Sequence, residues 1–283
     1  MKASKYTFRR FFAGILIHIE LLVVLLVVLY PLVWIIGSSF NPVNSINRGS
    51  MFPQNPTLDN YRRLFTRFQF ARWYGHTLYV AVLTSICTMV IHSFTAFVFA
   101  RLKFKGRKTG LLTVMILQMF PGFMGIIAIY ILAMNFGLLN NLNMLVLVYV
   151  AGGIPGNIWL IRGFMLNIPK SLDEAALIDG ASKVQLFFKI ILPLSVPIVS
   201  FIGITSFMAP WMDYMLPSYL ISKADSQTIA PALYNMVAGS YTQIDFTAFA
   251  AGCVLVAVPI TIVFMVFQKF LLEGIVAGAN KGE

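Results

Sequence analysis

Between Lys108 and Arg162 the chain carries no charged side chain at all, and no other feature limits its fold so tightly. A helix rises about 1.5 Å per residue and a bilayer's hydrocarbon core is about 30 Å thick, so one crossing takes about 20 apolar residues. The uncharged interval is too long for a single crossing. A polar stretch bearing glycine and asparagine, residues 135–143, supplies the turn that divides it into two. Four more stretches have the same character, giving six expected spans at roughly 12–37, 77–100, 110–133, 144–161, 194–216 and 246–267. Composition agrees: 59% of the 283 residues are apolar and 11% are charged, against about 25% charged in a soluble domain. The expected fold is an all-α membrane protein, a single domain of six transmembrane helices.

The basic residues orient these spans. Lys2, Lys5, Arg9 and Arg10 precede the first, and Arg101, Lys103, Lys105, Arg107 and Lys108 follow the second. Arg162, Lys170, Lys183 and Lys189 separate the fourth from the fifth, and Lys269 and Lys281 follow the sixth. The opposite side holds only Arg48, Arg62, Arg63, Arg67, Arg72 and Lys223. Short connections rich in Lys and Arg face the cytoplasm, so both termini are expected there. The net charge of +11 is this asymmetry, in blocks between apolar runs, and not a stripe for nucleic acid. The N-terminal basic residues and apolar run look like a signal peptide. The run through Gly37 is too long for one and no small-residue cleavage site follows, so a retained first span is expected. Two outer loops are longer than turns. Residues 38–76 contain Leu58-Asp59-Asn60-Tyr61, which begins a short amphipathic helix, and residues 213–245 hold Asp213, Asp225 and Asp245.

The cytoplasmic segment 171–193 is the least generic part of the sequence. Ser171-Leu172-Asp173-Glu174 has the S-x-x-E form of a helix capping box, and its acids complement the helix dipole. Ala175-Ala176-Leu177-Ile178 continue a short helix, Asp179-Gly180 turn the chain, and a second helix over 181–191 leads to Leu192-Pro193 and the fifth span. On helix chemistry alone this is either a capped connecting loop on the membrane surface or a hairpin projecting an alanine-rich helix toward a partner.

The residue string itself, Glu174-Ala175-Ala176, Asp179-Gly180-Ala181, Ile190, Leu192-Pro193 and Pro197, closely resembles the EAA motif of permease subunits of bacterial binding-protein-dependent ABC importers. Further strings resemble the carbohydrate branch of that family, the maltose-type and multiple-sugar permeases. They are Asn55 to Tyr61, Phe99-Ala100-Arg101 with Phe104, Gly106, Arg107 and Lys108, and Trp159 to Phe164. His76-Thr77 departs from the Asn-Ser more usual before the second span. The resemblance implies that segment 171–193 is a coupling helix hairpin seated in a groove of a separate ATPase, with Glu174, Ala175, Ala176, Asp179, Gly180, Ala181, Ile190, Leu192 and Pro193 as its coupling residues and Glu174, Ala175, Ala176 and Gly180 making the contact. It also implies that the tail around Gln268, Gly278 and Lys281 reaches that ATPase. The partners implied are a homologous permease, two ATP-binding subunits and an extracytoplasmic sugar-binding protein.

Other motifs are absent. No phosphate loop occurs, the nearest string being Gly106-Arg107-Lys108-Thr109, so ATP and Mg are expected on the partner and no cofactor on this chain. Cys87 and Cys253 lie in apolar runs without C-x-x-C spacing, and His18, His76 and His92 are scattered, so no metal site is expected. Nor is there a G-x-S-x-G nucleophile setting. The chain is expected to be a transport subunit and not an enzyme. Glu20 and His18 precede a run that spans unaided and can lie at the interface. His92, central in the second span, either lines the pathway or bonds to a neighbouring helix. Gln118, Asn157, Trp211, Tyr214 and His92 are the candidate sugar-path residues by type, aromatic faces and hydrogen-bonding groups, each with a packing or interfacial role as its alternative. An uncharged solute is expected because no ionisable pair marks a proton or sodium relay. Glycerol phosphate, or a secondary carrier without an ATPase, stand as the rival readings.

Overall fold

The computed structural model describes residues 2–42, 51–119, 121–238 and 244–279, with side-chain surroundings for 14–42, 51–119, 121–238 and 244–268. These residues form helices and turns and contain no strand. In order they are α1 (Lys2–Ser39), α2 (Asp59–Thr66), α3 (Phe70–Arg101), α4 (Arg107–Gln118), α5 (Ile126–Asn135), α6 (Leu142–Asn167), α7 (Lys170–Ile178), α8 (Lys183–Leu186), α9 (Leu192–Leu194), α10 (Val196–Met212), α11 (Met215–Leu220), α12 (Ile229–Asn235) and α13 (Phe246–Ala279). A 3-10 turn, Gly122–Gly125, leads into α5, and a π-helix, Phe187–Ile191, joins α8 to α9.

Four helices are long and apolar enough to cross a membrane without a break: Gly14–Ser39 of α1, all of α3, all of α6, and Phe246–Gln268 of α13. Two further candidates are bent. Arg107–Gln118 and Gly122–Asn135 meet at 91°, and Lys183–Leu194 and Val196–Met212 meet at 78°. The count is therefore four unbroken spans, or six when each bent pair is one span. The second bend has a local cause. Pro197 lacks the N–H that would reach back to the Pro193 carbonyl, and its ring collides with that carbonyl in a straight helix. Ser195 is fully buried at the break, its Oγ donating to Ile191 O at 2.7 Å. Several helices outrun the expected spans: α3 starts at Phe70, not at 77, and α6 runs to Asn167, not to 161. Bilayer thickness sets a minimum length, and nothing in these sequences stops the helix at the interface.

The contacts divide the chain into two units, Met1–Gln69 with Asn235–Leu255, and Phe70–Tyr234 with Val256–Glu283. In the first, the apolar side chains of α1 stand outward, Leu16 at 65% and Val27 at 68% exposure. So continuous an apolar surface is stable in hydrocarbon, not in water. The end of α1 is closed by Asn60 of α2, whose amide donates to Ser39 O and Asn41 O, each at 2.8 Å. That satisfies carbonyls the helix end leaves over. Arg63 of α2 reaches Asp245 at 3.3 Å, just before α13.

In the second unit α3 lies along both α6 and α10. Its N-terminal half joins a core of Val80, Leu145, Val150, Leu216 and Leu220. Its C-terminal half joins another, with Phe97, Ile161, Met165, Phe187, Ile198 and Ile202. Gly203 permits the close approach of α10: Ser85 Oγ donates to its carbonyl at 2.7 Å, and an added Cβ would meet Met89 Sδ at 2.5 Å.

Candidate functional site

Segment 171–193 is built on the ends of two long helices. Arg101, the last residue of α3, sends Nη2 to Ile168 O, just past α6, at 2.8 Å. Its Nε lies 3.0 Å from Asp173 Oδ2 in α7. The Arg101 and Asp173 side chains are only 3% and 15% exposed. Nε makes no aligned hydrogen bond and Nη1 has no partner, so the contact is an ion pair held by charge. A buried guanidinium without a counter-charge is strongly unfavourable, and Asp173 supplies that charge. Burial pushes the Asp173 carboxyl above its ordinary value and neighbouring Glu174 adds to this, while Arg101 and Lys170 pull it down. The desolvation outweighs the attraction, as expected for a pair lifted out of water.

The helix begins differently from the sequence expectation. Its N-cap is Pro169, with no side-chain cap, so Ser171 lies inside the first turn and the Ser171–Glu174 capping box does not form. Pro169 stands outside the helix with φ −57° and ψ 132°, and Lys170 is the first helical residue. The capping box belongs to the next helix: Ser182 Oγ accepts from Gln185 N at 3.2 Å, and Gln185 Oε1 accepts from Ser182 N at 2.8 Å. Its S-x-x-Q signature was present in Ser182-Lys183-Val184-Gln185. The single second helix expected over 181–191 is instead α8 followed by the π-helix.

The turn is as expected. Gly180 has φ +80°. Ala181 N donates to Ala176 O at 2.9 Å and Gly180 N to Leu177 O at 3.1 Å, the paired bonds of a Schellman motif.

Burial sorts the motif residues into two groups. Ala176 is 7% exposed and belongs to the core with Met165, Ile168, Leu186 and Phe187, and Ala181, Ile190 and Leu192 pack against that core. Ala176 thus seats the helix on its own subunit and does not face outward, a correction to the expectation that it touches a partner. Its small side chain is what permits the close seat. Glu174, Ala175, Asp179, Gly180 and Pro193 are exposed, together with Leu177 at 52% and Ile178 at 86%. The outward face of α7 is an apolar ridge edged by two acids. Sequence reasoning missed Ile178, although an isoleucine between the alanines and the turn was its signal.

The path candidates divide. His92 is fully buried; its Nε2 donates to Val150 O at 3.0 Å and its Nδ1 accepts from the Asn157 amide at 3.1 Å. It ties α3 to α6, the packing alternative. Gln118 is exposed, and its Nε2 would lie 3.7 Å from a Cβ built on Gly156, beside Asn157. Trp211 is 2% exposed and set edge-on to Tyr74 at 5.0 Å, and Tyr214 lies tilted at 54° against Tyr234 at 4.5 Å. Tyr74 and His92 are about 27 Å apart along α3, so Trp211 and Tyr214 do not join the other three. Of the tail residues, Gln268 is exposed; the side-chain surroundings of Gly278, and Lys281 altogether, lie outside the described residues.

A multi-pass helical membrane subunit is the class this fold defines. Residues 92–276 match the family described as "Binding-protein-dependent transport system inner membrane component", and the chain belongs to that family. It is 37% identical over 277 residues to the galactooligosaccharides transport system permease protein GanQ of Bacillus subtilis (strain 168), covering 97% of this chain and 98% of the relative. It is 36% identical to the maltodextrin transport system permease protein MdxG of the same organism, covering 91% and 92%. The fold is similar to a chain in the crystal structure of a bacterial ABC transporter involved in import of the acidic polysaccharide alginate. There the TM-score is 0.80 at 22% identity, over 90% of this chain and 95% of that one.

Proposed function

We propose that this chain is a permease subunit of an ATP-binding-cassette importer in the bacterial cytoplasmic membrane, forming with a homologous permease the path of an oligosaccharide. The observation that carries the reading is the likeness to GanQ and MdxG over nearly the whole chain. Each of those is named for oligosaccharide transport, whereas the alginate importer lends only its fold. Each bent helix pair counts as one span in this reading, which gives six, and the Lys and Arg distribution sets both termini in the cytoplasm.

The outward face of α7 is the docking surface for a separate ATP-binding subunit. Its ridge of Ala175, Leu177 and Ile178 enters an apolar groove, while Glu174 and Asp179 meet cations at the groove's rim. Gly180 and Ala181 fix the turn, Ala176, Ile190 and Leu192 hold the segment against its own subunit's core, and Pro193 leads the chain into the fifth span. Motion of two ATPase subunits on ATP binding then passes through α7 to α3 by the Arg101–Asp173 pair. The tail with Gln268, Gly278 and Lys281 makes a second contact to the ATPase. An extracytoplasmic binding protein delivers the sugar at the opposite end, and this chain carries no catalytic residue or cofactor of its own. The test is ATPase activity of the assembled transporter with its binding protein and a panel of sugars. Stimulation by a neutral oligosaccharide is expected; stimulation by glycerol phosphate alone, or no associated ATPase, contradicts the reading.

A further inference from the structure

At the end of the second unit remote from α7 lies an open polar groove of about 700 Å³, lined by His76, Tyr79, Asn140, Asn141, Asn143 and Ser226 among others. Tyr79 and Arg101 are separated by about 33 Å of α3, so the groove and α7 lie a membrane thickness apart. Its volume falls within the range of about 300–1,000 Å³ typical of small-molecule sites.

The groove's two rims are locked together. Asn140 is the only non-glycine residue with positive φ among those described, at +62°. Its backbone N–H donates to Leu220 O at 2.8 Å, and its Oδ1 accepts from Ser222 N at 2.7 Å and Lys223 N at 2.8 Å. A left-handed backbone on a residue other than glycine is costly and persists where its surroundings over-determine it. Here those three hydrogen bonds hold Asn140, in the turn that lines one side of the groove, against residues 220–223.

The lining offers hydrogen-bonding capacity without charge. His76 Nδ1 donates to Gln227 O at 3.0 Å, leaving Nε2 as an acceptor. Tyr79 donates to Asn143 Oδ1 at 2.7 Å, leaving the Asn143 amide N–H groups and the phenolic lone pairs. Asn141 Oδ1 accepts from Asn143 N at 2.9 Å, leaving its own amide donors. Tyr79 is 45% exposed and adds an aromatic face. The adjacent acid, Asp225, is engaged by Arg72 at 2.6 Å. Planar amides, a hydroxyl, an imidazole acceptor and an aromatic face together match a polyhydroxylated neutral ligand and offer nothing specific to a charged one.

We propose that this groove is a binding site for part of a neutral oligosaccharide on this subunit, before the sugar enters the membrane path. The proposal rests on the oligosaccharide reading above. The test uses the assembled transporter in lipid nanodiscs, with maltotriose and a galactotriose as probes. Saturation-transfer NMR without the binding protein reads sugar contact, and ATPase stimulation with the binding protein reads transport competence. Asn143→Ala, which removes exposed donors, and Ser226→Trp, which fills the groove, should each lower the NMR signal at least fivefold for the sugar that stimulates the wild type. Stimulation of the wild type with NMR signals absent, or unchanged in both variants, overturns the groove alone. Weakened binding-protein affinity with an unchanged sugar signal overturns it in favour of a protein-docking surface. If neither sugar stimulates the wild type, the oligosaccharide reading fails and the groove proposal with it.

Discussion

Arg101 Nε and Asp173 Oδ2 lie 3.0 Å apart, both largely out of water, across 72 residues of sequence. One sits at the end of a spanning helix and the other in the first turn of α7, so this pair is the shortest charged link between the long helices and the segment proposed to meet the ATPase.

Removing one partner leaves the other charge buried. Arg101→Ala, which leaves the Asp173 carboxylate buried without its counter-charge, should cost about 3 kcal/mol, the lower end of what breaking a buried pair costs. Asp173→Ala should cost less, because desolvation already disfavours that carboxylate, and the double apolar replacement Arg101→Met with Asp173→Leu should cost less than Arg101→Ala. Unfolding in mild detergent, with hydrogen exchange across 170–178, checks both the sum and its location.

Asp173 also sets a pH dependence. Its carboxyl titrates above the ordinary 3.8 in the fold, so the native segment binds the proton more readily than the unfolded chain. Stability contributed by this group therefore rises as pH falls through the raised value, and the gain is complete once pH is below 3.8. Compared with Asp173→Asn, which does not titrate, the wild-type segment should gain protection from exchange as pH is lowered through the raised value toward 3.8. A relative loss over that window would contradict the assignment.

Gly180 adopts φ +80°, and an added Cβ would meet nothing within 4 Å. Its substitution thus tests backbone strain alone. Gly180→Ala should destabilise the α7–α8 turn by about 1 kcal/mol, and Gly180→Asn by less, because asparagine tolerates the left-handed region. Thermal unfolding of the two variants side by side gives the comparison.

Ile178 is 86% exposed, so Ile178→Ser should leave stability within about 0.5 kcal/mol. An apolar anchor lost from the centre of an interface costs about 1–2 kcal/mol of binding, so affinity for the ATP-binding subunit should fall about tenfold or more. Paired measurement of melting temperature and subunit affinity distinguishes the docking role from a folding one.

Much of this architecture could be read from sequence because lipid leaves the chain few choices. Apolar runs must be helical to satisfy their backbone, so the four unbroken apolar helices followed from composition, and the turn at Gly180 followed from the one residue that fits it. The start of α7 did not, because Pro169 and Ser171 both offer helix entries and only folding chooses between them. The Arg101–Asp173 pair and the Asn140 clamp join residues far apart in sequence, and no local pattern announces them. The inward turn of Ala176 and the exposure of Ile178 depend on which side of α7 meets the core, and a helix of nine residues has too few turns to show that by periodicity.

The most direct test of the account is site-specific photo-crosslinking from α7 in the assembled transporter. A benzoylphenylalanine at Ile178 should capture an ATP-binding subunit, while one at Ala181, packed toward the core, should not. Capture of lipid alone from Ile178, or equal capture of the ATPase from both positions, would contradict the assignment of this face as the docking surface.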